Sequence, residues 1–213
     1  MDNPIAYGFR LERAPDGLSP LPAIGATAQS HDVYGGASNV ILRPGDPVYQ
    51  LSTGAVTLAA GAESSGGTAT APFGIVACVG PYYNATTGRM ELCEGLPSDI
   101  AWGTNLQLQS RFSYWPLDTT IWKIQADDKV TATTLAAYQA LIGENCDHIL
   151  CGASGEKYAK PRLDISGHAT TNTLVWRIVG VSPIYLNDPA ESYFELLVRA
   201  NVIGAAPHDT TGD

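Results

Sequence analysis

Residues 43–61 read RPGDPVYQLSTGAVTLAAG, and the order of turn-forming and apolar residues within them decides how the chain is read. Pro presets φ, and Gly and Asp accept conformations that other residues resist, so Arg43 to Pro47 is a turn. Val48 to Leu51 and Val56 to Ala59 then flank Ser52 to Ala55 as a hairpin with a four-residue loop. The flanking sequence keeps the same rhythm. Val40 to Leu42 is a short apolar run before the turn, and Glu63 to Thr70 (ESSGGTAT) is a loop. Phe73 to Val79 (FGIVACV) is apolar on both faces, which suits a strand enclosed in a small barrel or sandwich.

Further along, Tyr83 to Gly88 and Glu94 to Asp99 read as turn and loop, and Leu106 and Leu108 alternate with Gln107 and Gln109 as in a half-buried strand. Thr120 to Gln125 (TIWKIQ) alternates again. One helix is predicted, about ten residues long, N-capped by Thr133 or Thr134, with Leu135, Tyr138 and Ile142 on its apolar face and Gly143 as its stop. The last third holds the two longest strands, Thr173 to Val181 and Ser192 to Ile203, with a turn at Asn187-Asp188-Pro189. In the second of these, Phe194, Leu196, Val198, Ala200 and Val202 share a dry face. Tyr193, Glu195, Arg199 and Asn201 lie on the other, wet or partner-facing side.

The first 38 residues contain Pro4, Pro15, Pro20 and Pro22 and several glycines, which argues against a regular helix or a central strand. They read as an extended arm that either packs on its own domain or reaches a neighbouring subunit. The fold class expected is all-β with one short helix: a small β-barrel or sandwich plus a second antiparallel β lobe, preceded by that arm. The segments are 1–38 (arm), 39–104 (barrel-like lobe), 105–204 (antiparallel lobe with the helix) and 205–213 (flexible tail). If the arm orders only on its partner, deleting residues 2–30 leaves the lobes folded.

Twelve Lys and Arg against 21 Asp and Glu give a formal charge of −9, without the basic run that phosphate neutralisation requires. Nucleic acid and anionic membranes are therefore not expected as partners. The N-terminus MDNPIAYGFRLER has no basic stretch followed by an apolar one, and no run approaches the roughly 20 apolar residues of a membrane span. A soluble protein made in a cytoplasm is expected. Cys78, Cys93, Cys146 and Cys151 form no C-x-x-C pair and read as buried free thiols.

The chemical motifs are weak. Gly152-Ala153-Ser154-Gly155 falls short of the G-x-S-x-G nucleophile elbow, and GASGEK lacks the spacing of a phosphate loop. Cys146, His148 and Cys151 lie on a strand that cannot close them into a tetrahedron, so no metal is expected. Asp127-Asp128 and Asn187-Asp188 do not continue a calcium loop and read as solvated turn carboxylates. Trp102, Trp115, Trp122 and Trp176 either fill cores or line a sugar groove. No catalytic residue and no cofactor is assigned.

The order of features resembles the head decoration, or capsid cement, proteins of tailed bacteriophages. It rests on Gly45-Asp46-Pro47-Val48-Tyr49, Gly54-Ala55-Val56 and Phe73-Gly74-Ile75-Val76-Ala77. Downstream, Trp122-Lys123-Ile124-Gln125-Ala126-Asp127, Ile142-Gly143, Leu163-Asp164, Arg177-Ile178-Val179-Gly180 and Asn187-Asp188 are similar to the second half of phage virion structural proteins. The likeness spans about residues 39–203, outside the arm. It implies a non-enzymatic protein on the outer surface of the virion capsid, stabilising the head by bridging major capsid protein subunits and self-associating there as a homo-oligomer. Partner-binding candidates are Pro4, Tyr7, Phe9, Pro20 and Pro22 on the arm, with Tyr193 and Arg199 on the last strand. The alternatives are a tail or fibre β-domain binding a receptor or glycan, and a small β-barrel hydrolase in which His31, Asp32 and Ser154 converge.

Overall fold

The computed structural model describes residues 8–13, 21–24, 41–50, 56–62, 69–79, 82–84, 89–91, 96–97, 111–117, 120–127, 134–150, 161–183, 187–190 and 194–204. They form an all-β fold with one short helix. The Arg43–Asp46 turn is its first fixed point. Asp46 N donates to Arg43 O at 3.0 Å, and Gly45 takes φ 95°, the left-handed conformation that a type II turn demands after Pro44. Asp46 Oδ2 accepts a second bond from Arg43 N at 2.8 Å.

That turn opens a five-stranded sheet in the order β2 (Leu21–Ile24), β10 (Arg111–Pro116), β6 (Gly74–Val79), β4 (Pro47–Gln50), β5 (Val56–Leu58). Strands β4 and β5 pair Val48 with Leu58 and Gln50 with Val56, the hairpin that the sequence predicts. Its loop, 51–55, lies outside the described residues. Ile75 and Val76 of β6 are buried as expected, but Cys78 is exposed, its Sγ 2.9 Å from Ser113 Oγ on β10. Two small ladders, β3 (Ile41–Leu42) with β9 (Leu96–Pro97) and β7 (Tyr82–Asn84) with β8 (Arg89–Glu91), flank the sheet in sequence.

The second sheet runs β1 (Arg10–Arg13), β11 (Ile121–Gln125), β15 (Glu195–Ala200), β14 (Trp176–Val181), β12 (Asn145–Leu150), β13 (Pro161–Ala169). It rolls until its last strand meets the continuation of β11. Ala126 bridges Leu163 in parallel, Asp127 N donates to Leu163 O at 2.9 Å, and Asp127 Oδ1 accepts from Ile165 N at 3.4 Å. The ring β11–β15–β14–β12–β13 has antiparallel neighbours, one parallel closing contact, and helix α1 (Leu135–Ala140) between β11 and β12. That is the connectivity of a five-stranded Greek-key barrel of the OB type, entered at a different strand. Such a barrel carries no function by itself.

Two segments stitch the sheets together. Ala59 to Ala62 leaves β5 and runs onto β12, where Ala62 N donates to His148 O at 2.7 Å. A Cβ on Gly61 would lie 2.8 Å from Leu150 N and 2.9 Å from Ile149 Cα, so this approach requires glycine. The other stitch is the N-terminal segment. Phe9 N donates to Gly45 O at 2.8 Å, β1 pairs Arg10 with Lys123 and Leu11 with Trp122, and β2 pairs Pro22 with Ser113. Proline cannot donate to a ladder, but β2 lies at the edge of its sheet, where that is tolerated.

Several expectations are corrected. Within the arm, residues 8–13 pack on the chain itself: Phe9 is 3% exposed and belongs to the core, so a deletion of residues 2–30 removes core packing. The sheets also do not divide at residue 104, because β10 belongs with β4 to β6 and β1 belongs with β11. Helix α1 is shorter than predicted and turned differently. Thr134 Oγ1 accepts from Ala137 N as N-cap and Gly143 follows with φ 97°, but Tyr138 and Leu141 are buried while Leu135 and Ile142 are each 46% exposed. Tyr138 stacks on Phe194 with ring centroids 4.1 Å apart. At about 100° per residue, a face centred between Tyr138 and Leu141 leaves Leu135 and Ile142 some 70–90° to one side. Glu195, assigned to the wet face, is buried, because Asn187 folds back to accept from Glu195 N at 2.8 Å and donate to Glu195 O at 2.9 Å. Phe194, Leu196 and Val198 are buried as predicted.

Candidate functional site

Among the described residues, strand β12 holds the densest set of buried polar side chains, because its register brings each against a neighbour's backbone. All six residues are buried, Asn145, Asp147 and His148 among them. His148 Nδ1 accepts from Trp176 Nε1 at 3.2 Å, which leaves Nε2–H to donate to Ala59 O at 3.4 Å. One neutral tautomer satisfies both contacts. Burial pulls the imidazole pKa down to about 4, partly countered by the Ala59 carbonyl. Phe9 wedges beside it, with ring centroids 6.4 Å from His148, 6.5 Å from Trp122 and 4.3 Å from Trp176.

Asp147 is spent on backbone as well. Its Oδ1 accepts from Val175 N at 2.9 Å and its Oδ2 from Ala69 N at 3.3 Å, tying β12 to the approach of β14 and to the segment after β5. Burial raises its pKa, those two bonds lower it, and the Asp164 charge raises it again. The Cys146 thiol is pushed up by burial and then by Asp147, Asp164 and Asp127, so it stays protonated and unreactive as a nucleophile. Asp127, expected in a solvated turn, is buried at the ring closure. Asp188 does sit in an exposed turn, where Oδ1 accepts from Ala190 N at 2.9 Å.

Asp46 is a further buried carboxyl. Its pKa rises to about 7 through burial, opposed by the Arg43 N–H bond and the Arg43 charge. On the surface, Glu12 pairs with Lys123 at 3.0 Å and Glu144 with His168. Leu11, Leu135, Ile142 and Ile203 are the large exposed apolar side chains among the described residues.

Of the partner-binding candidates, Pro4, Tyr7, Pro20 and Tyr193 lie outside the described residues. Phe9 is corrected from partner-facing to core. Pro22 sits in edge strand β2, and Arg199 is exposed on β15 opposite Arg177. His31, Asp32, Ser154 and Cys151 also lie outside the described residues. Trp122 and Trp176 are core residues rather than groove walls, and Trp115 is half-buried. The sequence reading missed the seam of Asp147 and His148. NCDHIL places polar residues on both faces of a strand, a signal that it is enclosed by polar partners, but the partners come from residues 59, 69, 175 and 176.

Among the described residues, no three His, Cys, Asp or Glu side chains are grouped to hold a metal ion, and no helix is long and apolar enough to cross a membrane. Comparison with family models, with curated proteins and with solved structures finds no match.

Proposed function

We propose that this chain is a non-enzymatic structural protein of the head-decoration kind, which binds the outside of an assembled bacteriophage capsid and stabilises it by bridging major capsid protein subunits. The observation that carries the reading is the use made of the buried ionisable groups. Asp46, Asp147 and His148 each direct their polar atoms at the chain's own backbone or at Trp176, so they hold strands together. A cement protein requires that kind of rigidity and a broad surface. The order of turns and strands over residues 39–203 supplies the phage resemblance.

The energetics suit the role. A ligand that binds the assembled shell and not its dispersed subunits stabilises the shell by about 2.7 kcal/mol per site at 100 times Kd, and many sites act together. Self-association on the shell follows from the repetition of those sites. Immunogold electron microscopy of purified virions tests the assignment: label distributed over the head is expected, and label confined to tails overturns it.

A further inference from the structure

We propose that the outer face of strands β1, β11, β15 and β14 docks a short acidic segment of a partner protein. The strand registers assemble a cationic stripe there that no basic run in the sequence announces. Arg10 lies opposite Lys123, Arg13 opposite Ile121, and Arg177 opposite Arg199. Lys123 in turn faces Leu197, two residues from Arg199, so all five cations stand on one side of the sheet. Trp122, Trp176 and Val198, at alternate positions of the same strands, are buried on the other side. Arg10, Arg13 and Arg199 are exposed, while Lys123 and Arg177 are half-buried.

Such an arrangement costs stability. Like charges directly opposite each other on a ladder repel, and this face holds two such pairs, Arg10 with Lys123 and Arg177 with Arg199. Glu12 offsets the charge of Lys123 at 3.0 Å, but Glu144 at the rim pairs with His168, and Glu195 is buried beside Ser182. Arg13, Arg177 and Arg199 make no ion pair among the described residues. An acidic ligand would therefore relieve a repulsion as well as add attraction. Five of the chain's twelve Lys and Arg lie here, and the remainder of the chain holds most of its 21 Asp and Glu. A bilayer or a long duplex laid on this face would also meet that acidic surface, whereas a segment no longer than the stripe would not. Four strands about 4.8 Å apart span about 14 Å, the length of four or five extended residues. The arginine fork suits carboxylates, because it can take both oxygens at once. This docking does not depend on the capsid reading.

Fluorescence anisotropy of rhodamine-labelled hexaglutamate, titrated with the full-length chain at low salt, tests the site. Saturable binding is expected, weakened about threefold by Arg177→Gln or Arg199→Gln and about tenfold by both together, the range of exposed ion pairs. Labelled hexaglutamine should not bind. Arg89→Gln removes the same charge from an exposed position on β8 and should change the affinity less than about twofold. Near-ultraviolet circular dichroism of each variant verifies that its fold is kept. Absence of saturable hexaglutamate binding overturns the proposal. So does equal weakening by Arg89→Gln, which would reduce the attraction to net charge. A DNA duplex of about 20 base pairs, or vesicles of anionic lipid, binding more tightly than hexaglutamate would overturn it in favour of a phosphate ligand.

Discussion

Asp46 and His148 respond to pH in opposite senses, and substituting one should expose the other. His148 has a pKa of about 4 in the fold against 6.5 when exposed, so the unfolded chain takes up its proton first. Its contribution is complete above pH 6.5 and is lost as pH falls toward 4. At about 1.4 kcal/mol per pH unit, that loss totals about 3 kcal/mol. Asp46 runs the other way. Its pKa is about 7 in the fold against 3.8 when exposed, so its contribution is complete below pH 3.8 and is lost as pH rises through 7, about 4 kcal/mol in all. Between pH 4 and 6.5 the two slopes nearly cancel. Asp46→Asn keeps an oxygen acceptor for Arg43 N without an ionisable proton. The difference in unfolding free energy between this variant and the native chain should be small at pH 4 and grow in the variant's favour to about 3–4 kcal/mol by pH 7.5. Urea unfolding at half-unit pH steps reads it, and the difference removes every other titrating group. His148→Gln should give a constant packing loss plus a difference that moves in the variant's favour as pH drops from 6.5 to 4. A pH-independent difference for Asp46→Asn would refute the buried, proton-retaining carboxyl.

Phe9→Ala should cost about 3–5 kcal/mol, the loss typical of a buried aromatic ring, and an unchanged denaturation midpoint would place Phe9 outside the core. Leu196→Asp or Val198→Asp should unfold or aggregate the chain, because an unpaired carboxylate on a dry face costs several kcal/mol, while Arg199→Glu should shift the melting temperature little. Equal tolerance at the three positions would mean the β15 alternation is misplaced. Asp147→Ala strands two buried backbone donors, Ala69 N and Val175 N, and should cost about 2–6 kcal/mol in chemical denaturation. Asp147→Asn, which retains one acceptor oxygen, should cost less.

What the sequence discloses is what local chemistry decides. Arg43-Pro44-Gly45-Asp46 could be read as a turn because Pro and Gly fix two consecutive conformations, and the β4–β5 hairpin followed from it. The alternation in β15 marks Leu196 and Val198 as buried because a strand has only two faces. Where the partner lies far along the chain, local reading fails. Glu195 looks solvated until Asn187 folds over it, and Phe9 looks like part of an extended arm until it meets Trp122 and Trp176. Prolines in the first 38 residues exclude central strands but permit edge strands, and β2 is one. The helix was legible in its cap and stop, but one and a half turns fix no face by themselves. The polar seam was the least legible part, since each of its bonds joins β12 to a residue brought there by the fold.

The two stitches make one further prediction about where the chain can be divided. Among the described residues, one buried cluster spans both sheets, with Phe9, Ala62, Ala69 and Ile75 packed with Trp122, Leu163, Trp176 and Leu196. A fragment of residues 105–213 contains the whole β11–β15 ring, yet it lacks the ring beside Trp176, the Ala62 donor on His148 O and the Ala69 donor on Asp147 Oδ2. The lost Phe9 and Ile75 alone represent about 3–6 kcal/mol of apolar burial, and a domain of this size has only about 5–15 kcal/mol of stability to lose. His148 would also gain water and recover its ordinary basicity. The fragment should therefore show a weak, non-cooperative thermal transition by near-ultraviolet circular dichroism, and adding the 1–104 fragment should restore a cooperative one. A fragment that melts alone as sharply and at the same temperature as the full chain would show that the N-terminal segment and the Ala59–Ala62 crossing decorate a self-sufficient barrel.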